Sequence, residues 1–268
     1  MRIITANVNG IRSAATKGYF NWQRRQDADV VCLQEIRALP EQMPDEARAP
    51  RRYSAHFAPA EKKGYAGVAI YARREPDRVL RGLGWKGLDD EGRYIQVDFG
   101  PLSVVSFYMP SGSSGDVRQA AKMDLMKRFV EHLAQLRKDG RSYVICADWN
   151  ICHKAIDLKN WRANQKHSGF LPEERAWLDR VIGELGWVDA FRTVCPDPDQ
   201  YTWWSNRGQA WAKNVGWRLD YQLVTPDLAP LAERVEIYKK KRFSDHAPLT
   251  IDYRLDFDAL GREAARSA

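Results

Sequence analysis

The chain has 268 residues, of which 42 are Lys or Arg and 35 are Asp or Glu, so its formal net charge is +7. This positive excess suits a polyanionic partner, because Lys and Arg displace the counterions condensed on phosphates, but it equally suits a basic protein without such a partner. No apolar run reaches the roughly 18 residues that a membrane helix needs, and no targeting segment is visible, so we expect a cytoplasmic protein that does not bind membranes.

The four cysteines are Cys32, Cys146, Cys152 and Cys195. No two of them are spaced as C-x-x-C, which argues against a thiolate zinc site or a dithiol redox motif. Cys32 and Cys146 lie within apolar runs and are expected to be small buried hydrophobes. This usage is typical of a reducing compartment.

Eight short runs rich in apolar and β-branched residues follow one another along the chain and predict strands. In chain order they are residues 1–8, 29–34, 67–72, 94–99, 102–108, 143–147, 217–224 and 249–253. Several are apolar on both faces, as expected of strands that are buried between other layers.

Two stretches have the periodicity of amphipathic helices. Residues 117–138 place Met126, Phe129 and Leu133 on one face, and a second helix begins near Pro172 and ends at Gly186. Strands mixed with few helices predict an α/β fold in which two packed β-sheets are flanked by helices, a four-layer α/β sandwich. We expect one domain over residues 1–257 and a poorly ordered tail over residues 258–268, which is small and polar.

Polar residues with oxygen-bearing or imidazole side chains stand where most of these strands begin or end. Each alone is more typical of a turn or a solvated surface, but together they form an oxygen-rich set that suits a hard divalent cation. The set comprises Asn7, Asn9, Glu35, Asp148, Asn150, Asp220, Asp245 and His246.

Asp220 differs from the others because it lies inside an apolar strand, where a carboxylate needs a partner. Asp245 and His246 are neighbours and would point in opposite directions in an extended backbone. The sequence therefore predicts that His246 pairs with Asp220.

Six short segments together indicate a family: TANVNGIR, LQE, YMPSG, DWNICH, NVGWRLDYQLV and FSDHAPL. In this order, over residues 5–249, they resemble the signature blocks of the exonuclease III and apurinic/apyrimidinic (AP) endonuclease family of the endonuclease/exonuclease/phosphatase superfamily. The resemblance implies a Mg²⁺-dependent DNA repair nuclease that hydrolyses phosphodiesters, in which Mn²⁺ can substitute.

The resemblance also implies site residues. Three would hold the metal: Glu35, Asn9 and Asp245. Six would carry out the chemistry: Asn7, Tyr108, Asp148, Asn150, Asp220 and His246. Asp148 would activate water, although the sequence leaves open whether Asp148 or His246 is the true base.

DNA contacts follow from the same resemblance and from a segment, residues 201–213, that mixes aromatic rings with cations. The implied contacts are Arg12, Lys17, Gly64, Tyr65, Asn164, His167, Trp203, Arg207, Trp217 and Leu219. Alternatively, the segment is a Trp-rich corner of the core with solvated cations around it. The expected partner is double-stranded DNA with abasic sites, nicks or 3′ ends, bound by a monomer.

His167 bears on substrate preference, because an Asn commonly stands there in the AP endonucleases of the family. An imidazole is bulkier than a carboxamide and would restrict an abasic nucleotide that swings into the pocket. On this basis we expect 3′-to-5′ exonuclease and 3′-end cleaning to be favoured over abasic-site incision. Alternatively, His167 points to solvent or hydrogen-bonds a phosphate and does not affect substrate preference. The alternatives are a full AP endonuclease with accessory exonuclease activity and, more remotely, a phosphomonoesterase or lipid phosphodiesterase of the same superfamily, or a DNA-binding protein without activity.

Overall fold

The computed structural model describes residues 1–261, in which fourteen strands are arranged mainly in two six-stranded sheets. The strands are Arg2–Asn7 (β1), Val30–Gln34 (β2), Ser54–Ala58 (β3), Val68–Ala72 (β4), Arg78–Arg81 (β5), Tyr94–Phe99 (β6), Leu102–Tyr108 (β7), Ser142–Asp148 (β8), Val188–Asp189 (β9), Trp203–Trp204 (β10), Gly216–Trp217 (β11), Asp220–Val224 (β12), Ala232–Ile237 (β13) and Leu249–Tyr253 (β14).

The strand orders are β13-β14-β1-β2-β4-β3 in the first sheet and β5-β6-β7-β8-β12-β9 in the second, with β10 and β11 forming a separate ribbon. The facing sides of the two sheets share one apolar core, in which Val30 and Ile70 of the first sheet pack with Val104 and Val144 of the second. This is why β2, β4 and β7 are buried on both faces.

Seven α-helices lie within residues 1–261: Ile11–Thr16 (α1), Tyr19–Gln23 (α2), Asp45–Arg48 (α3), Asp116–Leu136 (α4), Trp161–Asn164 (α5), Pro172–Asp179 (α6) and Ala190–Val194 (α7). The helices α1 to α3 cover the outer face of the first sheet through Ile11, Phe20 and Ala47. The helix α4 covers the outer face of the second sheet through Phe129 and Leu133. The expected four-layer α/β sandwich is therefore confirmed.

All eight predicted strands are present, but residues 217–224 form two strands rather than one. The break comes at Arg218, whose side chain is buried in ion pairs with Asp157 and Asp189 and whose backbone N–H donates to Asp157 O at 2.8 Å. The sequence missed β3, β5, β9 and β13, which are the edge strands of the two sheets, and β10 of the separate ribbon. Strands β5 and β13 contain no buried residue and so lack the apolar run that marks a buried strand.

The second predicted helix also differs in detail, because α6 ends at Asp179 and continues as a π-helical turn over Arg180–Glu184. Short 3₁₀ helices occur at Pro40–Gln42, Ala155–Asp157, Ala229–Leu231 and Ala259–Gly261. The last of these lies in the predicted tail, of which residues 262–268 are outside the described residues.

Candidate active site

The candidate site lies at one edge of both sheets, where the strand registers bring polar residues together. Asn7 ends β1, and Glu35 follows β2, which runs parallel to it. Tyr108 and Asp148 end the parallel pair β7 and β8 and lie opposite each other. Asp220 begins β12 and is the register partner of Asp148. Residues that are far apart in sequence thus converge because both sheets present the same edge.

The amide of Asn7 links the two carboxylates at the centre of this edge. Its Nδ2 donates to Glu35 Oε1 at 2.7 Å and to Asp148 Oδ2 at 2.8 Å. Asp148 is almost fully buried and also accepts from the backbone N–H of Asn150 at 2.9 Å. Arg37, which the sequence analysis missed, donates to the other oxygen of Glu35. In the sequence, this contact could have been inferred from a cation that stands two residues after a Glu at the end of a strand.

The backbone at these strand ends is unusual, because four residues of the site have positive φ angles. The values are 42° for Asn9, 52° for Glu35, 51° for Arg37 and 49° for Asn150. For residues other than glycine this region costs roughly 1–2 kcal/mol per residue and is uncommon, least so for Asn. Backbone strain of this kind is concentrated at functional sites, where the surrounding structure maintains it.

His246 lies between two carboxylates. Its Nδ1 is 2.8 Å from Asp220 Oδ2, which confirms the predicted pairing, and its Nε2 is 3.8 Å from Asp148 Oδ2. Asp245 turns away, as expected, and accepts from Asn9 Nδ2 at 2.8 Å and from Trp203 Nε1 at 3.0 Å. His246 and Asp245 therefore form hydrogen bonds with different residues although they are adjacent in sequence.

Burial and neighbouring charges shift the pKa values of these groups strongly. Burial raises the pKa of Asp148 to about 7, against the opposing effect of His246. Burial alone would lower the pKa of His246, but the carboxylates of Asp220 and Asp148 raise it to about 10. Burial likewise raises the pKa of Tyr108 well above its usual range. These shifts favour a cationic imidazole beside an aspartate that is harder to ionise than an exposed one.

The donor set fits a divalent metal ion. Glu35 and Asp148 each offer a carboxylate oxygen, and these two atoms and one imidazole nitrogen of His246 all lie within 4.8 Å of one another. The nitrogen can act as a ligand only when the imidazole is neutral. Asp220 Oδ1 is buried and has no hydrogen-bond partner among residues 1–261, while Asp220 Oδ2 pairs with His246. Glu35 belongs both to this cluster and to the predicted metal set, whereas Asn9 and Asp245 form a hydrogen-bonded pair beside it.

A cavity of about 790 Å³ opens above this polar floor. Its apolar wall consists of Trp203, Trp217 and Leu219, and the two indole rings meet edge to face with centroids 6.2 Å apart. His167 and Asn164 line the cavity from α5 and the loop that follows it. Asn7 and Asp220 are buried beneath the floor and support it.

Five of the predicted DNA contacts lie outside this cavity. Arg12 and Gly64 line a groove of about 500 Å³ together with Arg37. Lys17 lines another, of about 230 Å³, that shares Asn9 and Asp245 with the main cavity. Tyr65 accepts from Arg93 Nη2 at 3.0 Å, and Arg207 is exposed. The structure thus separates a central pocket from a flanking surface.

The sequence analysis also missed a buried ion pair that holds two loops of the site. Lys122 Nζ is 2.6 Å from Glu174 Oε1 and donates to Asn150 O at 2.8 Å, and both side chains are fully buried. Glu174 Oε2 accepts from the backbone N–H of Gly169 at 2.6 Å. Lys122 lies one turn before Met126 on the apolar face of α4, and a lysine on that face was the available signal.

Comparison with known proteins places the chain among nucleases. Residues 4–246 match the Endonuclease/Exonuclease/phosphatase family. An exodeoxyribonuclease of Bacillus subtilis (strain 168) is 35% identical over 253 residues, which is 94% of this chain and 98% of that protein. Every helix within residues 1–261 is too short or too polar to cross a membrane.

Two solved structures share the fold over nearly the whole chain. An AP endonuclease from Archaeoglobus fulgidus superposes with a TM-score of 0.86 at 28% identity, covering 95% of this chain and 100% of that one. A 3′-5′ exonuclease, NExo, from Neisseria meningitidis gives the same TM-score at 25% identity, with the same coverage of both chains.

Proposed function

This chain belongs to the endonuclease/exonuclease/phosphatase family and is a nuclease, and we propose that it favours 3′-to-5′ exonuclease and 3′-end cleaning of duplex DNA over incision at abasic sites. The proposed setting is the cytoplasm, and the proposed active form is a monomer with Mg²⁺, for which Mn²⁺ can substitute. The observation that carries the chemistry is the buried arrangement of Asp148 between Asn7, Asn150 and His246, next to Glu35.

In the proposed reaction Asp148 acts as the general base. Its Oδ2 accepts a proton from the attacking water, and a pKa of about 7 matches this task near neutral pH. The water oxygen attacks the phosphorus, and the bond from phosphorus to the leaving oxygen breaks. Asn7 and Asn150 keep the carboxylate oriented through their hydrogen bonds.

His246 is proposed to bind the scissile phosphate as a cation. Its Nδ1 is held by Asp220, so its Nε2 faces Asp148 and the cavity, where it can donate to a phosphate oxygen. Tyr108 lines the same cavity, and its hydroxyl stays protonated because burial raises its pKa, so it can assist the leaving oxygen.

The metal is proposed to bind at Glu35, with Asn9 and Asp245 on the same side. When bound, it would offset the negative charge that develops on the phosphate oxygens. Arg37 contacts Oε2 of Glu35 and so orients that carboxylate.

The flanking grooves and the cavity wall are proposed to receive the DNA. Trp203, Trp217 and Leu219 would hold the sugar of the nucleotide under attack. The backbone contacts would be Arg12, Lys17, Gly64 and Tyr65. Asn164 would lie beside the sugar, and the exposed Arg207 would reach into the helix near the lesion. The 3′-5′ exonuclease NExo has the same fold, which supports this assignment.

His167 is proposed to restrict entry of an internal abasic nucleotide. It lines the cavity and lies in a tight turn, in which its N–H donates to Asn164 O at 2.9 Å and its carbonyl accepts from the N–H of the buried Phe170 at 3.0 Å. The turn is further held through Gly169 and Glu174. The imidazole is therefore attached to a firmly held backbone, whereas a 3′-terminal nucleotide has a free end and can approach differently.

The catalytic assignment is tested with Asp148→Asn and His246→Ala on a recessed 3′ duplex. General acid–base and charge stabilisation contribute about 10²–10⁴-fold, so we expect turnover to fall by that much while DNA binding largely persists. Excess chelator should abolish activity, and Mg²⁺ or Mn²⁺ should restore it. Asp179→Asn, an exposed carboxylate away from the site, is the matched control. Full activity of either variant contradicts the assignment, and activity in chelator contradicts the metal requirement.

The substrate preference is tested with His167→Ser and His167→Gly on abasic and recessed 3′ duplexes. We expect a gain of abasic incision with exonuclease activity retained. Lys166→Ser, the neighbouring cavity-lining residue, is the control and should not open the site in this way. Strong abasic incision by the unchanged protein would instead identify a full AP endonuclease. Hydrolysis of an inositol phosphate in place of DNA would identify the remoter alternative.

A further inference from the structure

Four consecutive cations, Lys239, Lys240, Lys241 and Arg242, form a loop between β13 and β14 that the proposed mechanism does not use. The three lysines are exposed, and none of them forms an ion pair within residues 1–261. Asp199 lies within the electrostatic influence of Lys239, but it is paired with Lys159 at 2.8 Å. The loop therefore presents uncompensated positive charge to solvent.

This loop, which we call the basic loop, is held at both ends by aromatic stacking. Tyr238 precedes it and Phe243 follows it, and their rings stack with centroids 5.9 Å apart and planes 8° apart. Trp22 of α2 packs against both rings, with centroids 5.0 Å from Tyr238 and 5.6 Å from Phe243. Tyr19 meets Phe243 edge to face. The ends of the basic loop are thus fastened to α2, and less entropy is lost when its cations bind an anion.

The same packing joins the basic loop to the surface beside the active site. Lys241 Nζ lies 3.1 Å from the position that a Cβ on Gly18 would occupy, next to Lys17. Arg242 and Lys17 line the groove of about 230 Å³ that shares Asn9 and Asp245 with the catalytic cavity. Lys17, Arg242 and Lys241 therefore form a row of positive charge that begins beside the active site and leads away from it.

Arg242 has a different part in this surface, because it connects two loops. It donates to Asn206 Oδ1 at 2.6 Å and to Ser244 O at 3.1 Å, and its guanidinium lies over the ring of Trp211 at 5.2 Å. These contacts connect the segment of residues 201–213 to the one that carries Asp245 and His246. Since Arg242 supports the site itself, it is not a suitable probe for the role of the lysines.

We propose that the lysines of the basic loop extend the backbone contact of Lys17 into a longer phosphate-binding surface, which holds the flank of the duplex beyond the phosphate that is cleaved. The proposal rests on the proposed function, because it requires that DNA occupies the catalytic cavity. Exposed lysine ammonium groups bind successive backbone phosphates without reading sequence, and each neutralised phosphate releases counterions. The surface would therefore contribute affinity and not the rate of the chemical step.

The test compares two triple variants that remove the same charge. The first combines Lys239→Ser, Lys240→Ser and Lys241→Ser, which removes the lysines of the basic loop and keeps Arg242. Lys86→Ser, Lys127→Ser and Lys138→Ser remove three exposed lysines on the side of α4 and serve as the control. Binding of a long recessed 3′ duplex is measured by fluorescence anisotropy in chelator over a range of salt concentrations. It is then repeated with duplexes shortened on either side of the cleavage position, and turnover is measured with Mg²⁺ at saturating DNA.

We expect the basic-loop variant to bind the long duplex about tenfold or more weakly at low salt than the control. The slope of log K against log salt should fall by about 0.9 for each phosphate contact that is lost. Shortening the duplex on one side should abolish the difference, while turnover at saturating DNA stays unchanged. Equal affinity and slope in the two variants would overturn the proposal. If the two variants bind equally and the unchanged protein cleaves DNA, only this inference fails. If the unchanged protein does not cleave DNA, the proposed function itself fails.

Discussion

His246 shows how single residues control the candidate site, because its charge depends on groups beneath it. Burial opposes a charged imidazole, and the carboxylates of Asp220 and Asp148 more than offset that penalty. Asn7 in turn keeps Asp148 in place beside Glu35 with one amide group. The reactive groups are thus defined as much by their supports as by their own chemistry.

We predict that Asp220→Asn lowers the pKa of His246 from about 10 toward or below its ordinary value. The variant removes the charge that raises this pKa most, while the burial that lowers it remains. The measurement is an NMR titration of the imidazole in metal-free protein. At neutral pH the imidazole would then lose its positive charge, so turnover should fall as well.

The control for this titration is Asp179→Asn, which removes the carboxylate 2.8 Å from His153 Nε2 and leaves His246 untouched. That variant should shift the titration of His153 alone. A His246 that still titrates near 10 in Asp220→Asn would contradict the role given to Asp220.

At the scale of elements, α4 does more than cover a sheet. The helix carries Lys122, whose ammonium joins Glu174 of α6 to the carbonyl of Asn150, just after β8. Glu174 then holds the turn that contains Gly169 and follows His167. One buried ion pair therefore connects the strand end that bears Asp148 with the loop proposed to select substrates.

We predict that Lys122→Met destabilises the protein by about 3–5 kcal/mol, because it leaves Glu174 buried without its charged partner. The free energy of unfolding is measured with urea. Lys127→Met is the matched control, since Lys127 lies on the same helix with 76% of its side chain exposed and should cost little.

If the two variants unfolded at the same urea concentration, the buried pair would not have the structural weight assigned to it. Exonuclease and abasic activities of folded Lys122→Met provide a second readout. A changed ratio of the two would indicate that the turn after His167 has moved.

At the scale of the whole molecule, the site lies where two sheets meet, and this concentrates negative charge at an apolar boundary. Glu35 comes from the first sheet, Asp148 from the second, and Asp245 from the segment that leads into β14. Repulsion among these carboxylates opposes the docking of the sheets. A bound divalent cation would offset that repulsion and so stabilise the native state.

We predict that Mg²⁺ raises the thermal midpoint of unfolding by an amount that grows with the logarithm of its concentration above Kd. The added free energy of unfolding is about 2.7 kcal/mol at a hundredfold excess over Kd. The measurement compares MgCl₂ with NaCl at equal ionic strength. Glu35→Gln should remove the effect, and Glu173→Gln, an exposed residue of α6, should retain it. An equal gain in the Glu35 variant would show that the ion binds elsewhere.

The sequence by itself determined the buried strands, the layered α/β class and the polar residues at the strand ends, because these depend on local patterns of apolar and polar residues. Even the pairing of His246 with Asp220 followed from the alternation of side chains along a strand. The family resemblance then supplied roles that pattern alone left open.

The tertiary structure decided what depends on distant contacts. The edge strands β5 and β13 lack an apolar signature because none of their residues is buried. The contacts of Arg37 with Glu35 and of Lys122 with Glu174 depend on how loops and helices meet. The basic loop reads as a solvated charge run until the stacked rings of Tyr238 and Phe243 place it beside Lys17. A sequence pattern records which residues are apolar, whereas only packing brings separate charges to one surface.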